Sequence, residues 1–257
     1  MHHIGHNIHM DALKEILNHT VYKTVSGSRS YGINTPTSDE DALGVFIPRP
    51  ENILGVTDSV GKHYRRTEPD ENYKTLPDFI ACARDGSSFW VEPLFVRRED
   101  VLVIKPCFEP FLENKKLFLT QALISKSLGF MKGMVNSSIS QKSIPETKNL
   151  SEEEQLNALM KSKQKNMCHA VRVGNMIVEM LDEYDLRVYR PEEREHLLNI
   201  KSGVISLEDA RNETAELVAK IGEKRVTSNL PDIADENILN SLLVSSIQKY
   251  WSAEKWI

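Results

Sequence analysis

The chain has 257 residues, a formal net charge of −5 and 40 % apolar residues, values that are ordinary for a globular protein with a sizeable core. No run of eighteen apolar residues occurs and the first ten residues lack an apolar signal segment, so the sequence predicts neither a membrane span nor secretion. Its 3 cysteines are widely spaced without a Cys-x-x-Cys motif, which argues against a disulfide framework or a zinc knuckle and favours a reducing cytoplasm.

The first part of the chain predicts a mixed α/β domain over residues 10–104. We interpret residues 1–9, which contain four histidines, as a disordered or tag-like start rather than a metal-binding tract. Apolar alternation between turn residues predicts strands, and an N-cap residue before an apolar stripe predicts a helix. In chain order we predict a helix over 11–19, a strand over 21–25, a short helix start over 29–34, a strand over 39–47, a hairpin of 60–66 and 71–76, a helix over 77–84 and a strand over 89–96.

The second part of the chain predicts a helical domain over residues 105–257. Its apolar residues recur with helical spacing, and between Pro110 and Pro191 the only proline is Pro145, which suits long helices with one break. The predicted helices span 108–134, 152–183, 191–200, 206–221 and 235–256, with a polar stretch over 136–150. The fold class is therefore α+β, a mixed-sheet domain followed by a helical domain that completes a cleft.

The segment from Gly27 to Asp41 carries the strongest functional signal. A predicted strand ends at Gly27 and Ser28, where free backbone N–H groups and a hydroxyl precede a helix start and form a ready anion site. Asp39 and Asp41 follow on a predicted strand at i and i+2, so their side chains point to the same face. Two such carboxylates repel each other unless a cation lies between them.

Mg²⁺ fits this pair of aspartates, with Mn²⁺ as the alternative ion. Mg²⁺ takes one or two carboxylates from the protein and completes its octahedron with phosphate oxygens and water. A phosphate cradle that faces a carboxylate pair implies a nucleoside triphosphate such as ATP. The bland alternative, a solvated Asp-x-Asp on a strand edge, does not explain why the two features occur in this order and spacing.

The segment GSRSYGINTPTSDEDALGVFIP resembles the active-site motif of the polymerase-β nucleotidyltransferase superfamily. More narrowly, it resembles the family of nucleotidyltransferases named for an RNA-repair-pathway polymerase-β-like protein. The segments YKTLPDFIACARDGSSFWVEPLF, KNMCHAVRVGNMI and RPEEREHLLNIKSGVISLEDA resemble later parts of that family, so the resemblance covers most of residues 20–245. It implies a polymerase-β palm-like catalytic domain.

The resemblance also implies roles for individual residues. Gly27 and Ser28 would hold the β- and γ-phosphates, and Asp39 and Asp41 would bind Mg²⁺. Arg29, inside the loop, is a further candidate contact to the nucleotide. The implied reaction is an in-line displacement at the α-phosphorus with pyrophosphate leaving, and no covalent enzyme intermediate is required.

A third carboxylate on a neighbouring strand is usual in this superfamily. Glu92, on the predicted strand 89–96, is the first choice, and Glu71, on the predicted hairpin, is the alternative. The chain departs from the family pattern at Pro93 and at Gly86-Ser87-Ser88, which bears on the register of Glu92. A structural alternative is that Glu92 is a partly buried acid paired with a neighbouring arginine, one of Arg84, Arg97 or Arg98.

One basic stripe in the helical part is a candidate phosphate-binding surface. Lys165, His169 and Arg172 fall at i, i+4 and i+7 of a predicted helix and hence on one face. This stripe is a candidate binding surface for the triphosphate or for an acceptor phosphate, and the alternative is a solvated basic face. Residues 105–172 hold eleven Lys+Arg against six Asp+Glu, an excess typical of a polyanionic acceptor such as RNA and also of solvated helices.

Three functions follow from these observations. The leading hypothesis is a Mg²⁺-dependent enzyme that transfers a nucleoside monophosphate to a hydroxyl acceptor such as an RNA end. The second moves the same group to a protein or a small molecule, because the sequence contains no recognisable RNA-binding module. The third is a nucleotide-binding regulatory module without turnover.

Overall fold

The computed structural model describes residues 12–56, 61–140 and 149–257. The interpretation of residues 1–9 therefore lies outside the described residues. The chain forms two compact units, one comprising the described residues up to Phe118 together with Ile233–Ile257, and the other comprising Leu119–Asp232. This grouping differs from the predicted division after residue 104, because the segment 105–118 and the last helix belong with the sheet.

The first unit contains a five-stranded mixed sheet. Its strands are β1 (Thr20–Ser26), β2 (Asp41–Phe46), β3 (His63–Thr67), β4 (Asp70–Thr75) and β5 (Val101–Ile104), in the spatial order β3-β4-β2-β1-β5. β2 and β4 pair in parallel, and the other neighbours are antiparallel. The predicted strands at the sheet centre and the β3–β4 hairpin are thus present, whereas β5 was not predicted.

The helices have the following bounds. In the first unit they are α1 (12–18), α2 (Gly27–Tyr31), α3 (Pro50–Leu54), α4 (Leu76–Arg84), α5 (Ser88–Val91) and α6 (Glu109–Glu113), with short 3₁₀ turns at Glu92–Phe95, Arg98–Asp100 and Lys115–Phe118. In the second they are α7 (Gln121–Ile139), α8 (Glu152–Glu183), a 3₁₀ turn at Pro191–Glu193, α9 (Arg194–Ser202) and α10 (Leu207–Val226), and α11 (Glu236–Ala253) returns to the first unit. Among the described helices, none has the length and apolarity needed to cross a membrane.

The predicted strand over 89–96 is wrong. The structure has α5 there, followed directly by the 3₁₀ turn Glu92–Phe95. Residues 90–95 are all buried, so the segment lacks the apolar–polar alternation of a half-exposed strand. Pro93 lies at the start of the 3₁₀ turn, a position where its missing N–H costs nothing.

Aromatic rings join the sheet to the helices that cover one face of it. Tyr22 of β1 stacks on Phe108 with ring centroids 4.2 Å apart and 7° between the planes. Phe79 of α4 lies 5.8 Å from Phe108, again between centroids. The Tyr22 hydroxyl donates a hydrogen bond to the Pro93 carbonyl oxygen at 2.6 Å. This packing fixes β1, which leads into the candidate site.

The last helix, α11, is held against the rest of the first unit by polar contacts from buried side chains. The His19 Nδ1 and the Tyr250 hydroxyl of α11 lie 2.9 Å apart, and the Trp251 indole N–H donates to the Pro48 carbonyl oxygen at 3.0 Å. Burial lowers the pKa of His19 from its ordinary value despite the nearby Glu15 and Glu254 carboxylates. The ring is therefore neutral in its pocket at neutral pH.

The second unit is built around the long helix α8. Its bounds are those predicted, since Ser151 and Glu154 form a capping box at its first turn. Near its C-terminus the buried Glu179 accepts a hydrogen bond from Arg190 at 2.8 Å, and Arg190 also binds Glu193 at 2.6 Å. Arg187 makes a further ion pair with Glu179. This network ties the segment after α8 to the helix itself.

Candidate functional site

The turn between β1 and α2 begins at a glycine with a positive φ. Gly27 has φ +64°, a conformation that side-chain-bearing residues rarely adopt. The Ser30 hydroxyl donates to the Gly27 carbonyl oxygen at 2.9 Å, and Gly32, with φ +77°, ends the helix. The half-buried Ser28 occupies the first turn of this five-residue helix.

Asp41 lies directly against this turn. A Cβ atom added to Gly27 would lie 2.1 Å from Asp41 Oδ2, so the carboxylate occupies the space that any other side chain would fill. The two strands hold it there, because Ser26 at the end of β1 pairs with Asp41 at the start of β2. The structure thus brings together Gly27 and Asp41, while their roles in binding phosphate and metal stay a prediction.

Asp39 and Arg29 belong to the loop that leads into β2. Asp39 is exposed and precedes the strand, which begins at Asp41 and not at residue 39. Arg29 Nε donates to the Asp39 carbonyl oxygen and its Nη2 to that of Ser38, both at 3.3 Å. Arg29 also lies 3.5 Å from a Glu40 carboxylate oxygen. The guanidinium therefore holds the loop, while its predicted contact to a nucleotide stays a prediction.

The structure places Asp70 beside Asp41, a relation that the sequence analysis missed. The strands β2 and β4 are parallel and Asp41 is in register with Asp70, so the two side chains leave the sheet on the same face. Neighbouring strands lie about 4.8 Å apart, within the span that one bound cation bridges. The only signal in the sequence was an acidic residue immediately before the second strand of the predicted hairpin, 71–76.

Asp70 is held by an exposed arginine of the edge strand. Arg65 Nη2 lies 3.2 Å from Asp70 Oδ2, and its Nε donates to Oδ1 at 3.4 Å. The Arg65 side chain is 59 % exposed, so the pair contributes less than about 1 kcal/mol to stability. A stronger ligand for the carboxylate displaces such an arginine at little cost.

Glu71, the alternative third carboxylate, lies on the opposite face of the sheet. It is in register with Ala42, one residue after Asp41, and successive strand residues alternate between faces. Its carboxylate accepts hydrogen bonds from Lys23 at 2.8 Å and from the Tyr73 hydroxyl at 2.9 Å. Arg66 forms an ion pair with it at 3.2 Å. These partners join β1, β3 and β4 beneath the candidate site.

Gly44 has no side chain, and this leaves room for the cluster formed by Glu71, Lys23, Tyr73 and Arg66. Gly44 of β2 lies in register between Lys23 of β1 and Tyr73 of β4. A Cβ atom there would lie 2.3 Å from the Tyr73 ring. Burial alone would raise the pKa of Glu71, but the hydrogen bonds and charges of Lys23, Tyr73 and Arg66 outweigh it and lower the pKa below its usual value.

We expect a Glu71→Gln substitution to lower stability more than activity. It leaves Lys23 and Arg66 facing a neutral amide, which costs about 2 kcal/mol in free energy of unfolding. Because the folded-state pKa of Glu71 is lowered, this contribution is present above its ordinary pKa and disappears as the pH falls through the folded-state value. Urea denaturation at neutral and acidic pH measures both effects, and equal stability of the two proteins at neutral pH would contradict the prediction.

Glu92 does not lie on a strand beside Asp41. It begins the 3₁₀ turn Glu92–Phe95 and is buried, with 6 % of its surface exposed. The register argument that made it the first choice for a third carboxylate therefore fails. The physical reason is the helical packing of the apolar residues on both sides of it, described above.

The predicted basic stripe of α8 belongs to the second unit. Lys165 is exposed, whereas Arg172 is buried with 3 % of its surface exposed. Burial, with the nearby charges of Arg172, Lys165 and Lys201, lowers the pKa of His169 to about 3. His169 is therefore neutral at physiological pH and adds no charge to the stripe. A nucleotide-binding role for the three residues stays a prediction.

The lowered pKa of His169 predicts a loss of stability in acid. The folded state disfavours the charged ring, so the stability is complete above the ordinary pKa of 6.5 and falls as the pH decreases from there toward 3. The loss attributable to this group amounts to at most about 1.4 kcal/mol per pH unit. We expect a His169→Gln variant to lose less stability than the wild type between pH 6.5 and 4 in urea denaturation. Parallel losses in the two proteins would contradict this.

The carboxylates of the site suit an ion that is bound partly by its substrate. Among the described residues, no group of three or more His, Cys, Asp or Glu side chains is arranged to hold a metal ion. Asp41 and Asp70 nevertheless share a face in register, and one or two carboxylates with phosphate oxygens and water satisfy Mg²⁺. The donor set therefore fits Mg²⁺ bound together with a phosphorylated substrate.

An α+β fold with a Gly-Ser turn and carboxylates on the adjoining strands is consistent with a nucleotidyltransferase domain of the polymerase-β class. Residues 5–81 match the family model of the RNA repair pathway DNA polymerase beta family. The match includes Gly27, Asp41 and Asp70, and over this part of the chain it supports the family predicted from the sequence. A comparison with curated proteins gave no significant match. The family supports nucleotidyltransferase activity.

Proposed function

We propose that this protein transfers a nucleoside monophosphate from a triphosphate such as ATP to a hydroxyl acceptor and releases pyrophosphate. One observation carries the proposal: the Asp41 carboxylate lies against the Gly27 turn, with Asp70 beside it in register. A metal–triphosphate complex requires an anion-binding turn next to one carboxylate, with a second carboxylate on the neighbouring strand.

The turn would bind the phosphate tail. Gly27, having no side chain, allows a phosphate to approach the backbone closely, and Ser28 supplies a hydroxyl in the first turn of α2. Arg29 would hold the 38–40 loop through the carbonyl oxygens of Ser38 and Asp39, and so steady the segment that leads into Asp41. Positioning of this kind accounts for much of the catalysis in phosphoryl and nucleotidyl transfer.

Asp39, Asp41 and Asp70 would hold Mg²⁺, or Mn²⁺ as the alternative, and Asp70 takes the place first assigned to Glu92. When bound, the ion would neutralise phosphate charge that the reaction redistributes. In the reaction, the acceptor oxygen forms a bond to the α-phosphorus while the bond to the β-phosphate oxygen breaks. The acceptor proton passes to a carboxylate or to water, and the pyrophosphate carries away the negative charge.

An RNA end is the acceptor that we favour. The excess of eleven Lys+Arg over six Asp+Glu in residues 105–172 supports a polyanionic acceptor, in a chain whose total charge is −5. Proteins and small molecules are the alternative acceptors. The distinction rests on salt dependence, because phosphate contacts release counterions and make RNA binding fall steeply with salt.

A pyrophosphate-release assay with each of the four ribonucleoside triphosphates tests the proposal. We expect release that requires Mg²⁺ or Mn²⁺ and an acceptor, and that falls by about 100-fold or more in an Asp41→Asn variant. Full release by that variant, or none by the wild type with RNA, protein and small-molecule acceptors, would refute the proposal. Tight triphosphate binding without turnover would instead support a nucleotide-binding regulatory module.

A further inference from the structure

A half-open cavity of about 280 Å³ lies beside the edge strand β5 in the first unit. Its walls are mainly apolar and include Tyr22, Leu94, Ile104 and Leu112. Its volume is close to the lower limit for pockets that bind small molecules. The cavity is distinct from the candidate catalytic site, because Tyr22 precedes Ser26 by four residues on β1, about 13 Å along the strand.

The floor of the cavity is held in place before any ligand binds. Tyr22 is 1 % exposed, its ring stacks on Phe108, and its hydroxyl donates to the Pro93 carbonyl oxygen. Leu94 belongs to the adjoining 3₁₀ turn and is also buried. A preformed apolar wall lowers the entropic cost of binding.

Two cations line this apolar cavity. Arg98 is exposed, and Lys115 is partly buried with its Nζ 4.6 Å from the centre of the Phe95 ring. Within the part of the chain that the structure describes, neither forms an ion pair or a hydrogen bond through its side chain. The neighbouring Arg97, by contrast, binds Asp100 at 2.8 Å. Positive charge at Arg98 and Lys115 is thus left without a carboxylate next to an apolar surface.

We propose that this cavity binds a small amphiphilic anion, with an aromatic or branched apolar body and one carboxylate or phosphate group. The apolar body would replace water on Leu94, Ile104 and Leu112, and the anionic group would bind Arg98 and Lys115. A guanidinium recognises both kinds of anion through paired N–H donors. The charge complementarity and the volume together specify this class of ligand.

The edge of β5 argues against a peptide strand as the occupant. β5 has four residues and its pairing with β1 shifts register between Lys23 and Thr24, an irregularity of the kind that twists an edge away from further pairing. Pro106 lies two residues beyond the strand. A peptide added to this edge would therefore find few consecutive backbone partners.

Titration calorimetry on the full chain tests the proposal with three probes of similar size: 3-phenylpropanoate, phenyl phosphate and the neutral 3-phenylpropanol. We expect the two anions to bind and the alcohol to bind at least about tenfold more weakly, because it lacks a charge-assisted hydrogen bond. The ratio between the carboxylate and the phosphate distinguishes the two sources of the anion. Equal binding of the alcohol, or no binding of any probe at millimolar concentration, would overturn the proposal.

Variants locate the binding site. Arg98→Gln and Lys115→Gln should each weaken the binding of the anions by about tenfold, and Leu112→Trp should abolish it by filling the cavity. Lys126→Gln, which removes an exposed cation in the second unit, is the matched control and should leave binding unchanged. Anion affinity that is unaltered in both glutamine variants would overturn the proposal, whether or not the tryptophan variant folds.

Discussion

An Asp70→Asn variant should lose at least about 100-fold in pyrophosphate release, as a metal-binding carboxylate requires. The reason is the parallel pairing of β2 and β4, which places Asp70 in register with Asp41 on one face of the sheet. The amide keeps the shape of the side chain but not the negative charge that binds a divalent ion. Asp70 pairs with Arg65 at the surface, so the loss of this ion pair should change the free energy of unfolding by less than about 1 kcal/mol.

Glu92→Gln is the matched control, since Glu92 was the first choice from the sequence and begins a 3₁₀ turn in the structure. We expect near wild-type release after correction for folded protein. A calorimetric titration of the Mg²⁺-dependent binding of a non-hydrolysable triphosphate gives a second readout, in which Asp70→Asn should bind more weakly. Loss of release in Glu92→Gln with full release in Asp70→Asn would reverse the assignment.

The sequence predicted those elements whose local signals agree with their packing. The capping box at Ser151 and the helical periodicity after it gave α8 its observed bounds. The segment 89–96 misled because a short apolar run suits a buried helix as well as a strand. β5 was missed for a related reason, since four apolar residues carry no periodicity of their own. The return of α11 to the first unit depends on distant partners such as His19 and Tyr250.

The sequence indicated the residues of the candidate site in and after the turn, but not which carboxylate the neighbouring strand contributes. Gly27 and Asp41 are marked by residue type and spacing, and the structure places them in contact. The choice between Asp70 and Glu71 depends on strand register, because a shift by one residue moves a side chain to the other face. No local sequence pattern specifies the register between β2 and β4. It emerges from the pairing of β4 with β2 and from the cluster of Glu71 with Lys23, Arg66 and Tyr73.

The second large effect concerns the stability of the second unit. Glu179 and Arg190 are 6 % and 4 % exposed, and their side chains meet at 2.8 Å. Replacing Arg190 with methionine leaves Glu179 buried, and among the described residues the half-exposed Arg187 is then its one remaining cationic partner. Removing one member of a buried ion pair costs about 3 kcal/mol, because the remaining charge has lost its compensation. We expect Arg190→Met to lower the free energy of unfolding by this amount in urea denaturation followed by far-UV circular dichroism.

Glu213→Gln provides the comparison within the same unit. Its partner His196 lies 2.9 Å away, but both side chains are substantially exposed, so the loss should stay below about 1 kcal/mol. A double variant, Arg190→Met with Glu179→Met, should recover part of the stability because it removes the uncompensated carboxylate as well. If Arg190→Met and Glu213→Gln were equally mild, the network would be a surface contact in solution, and α8 would owe its position to apolar packing alone.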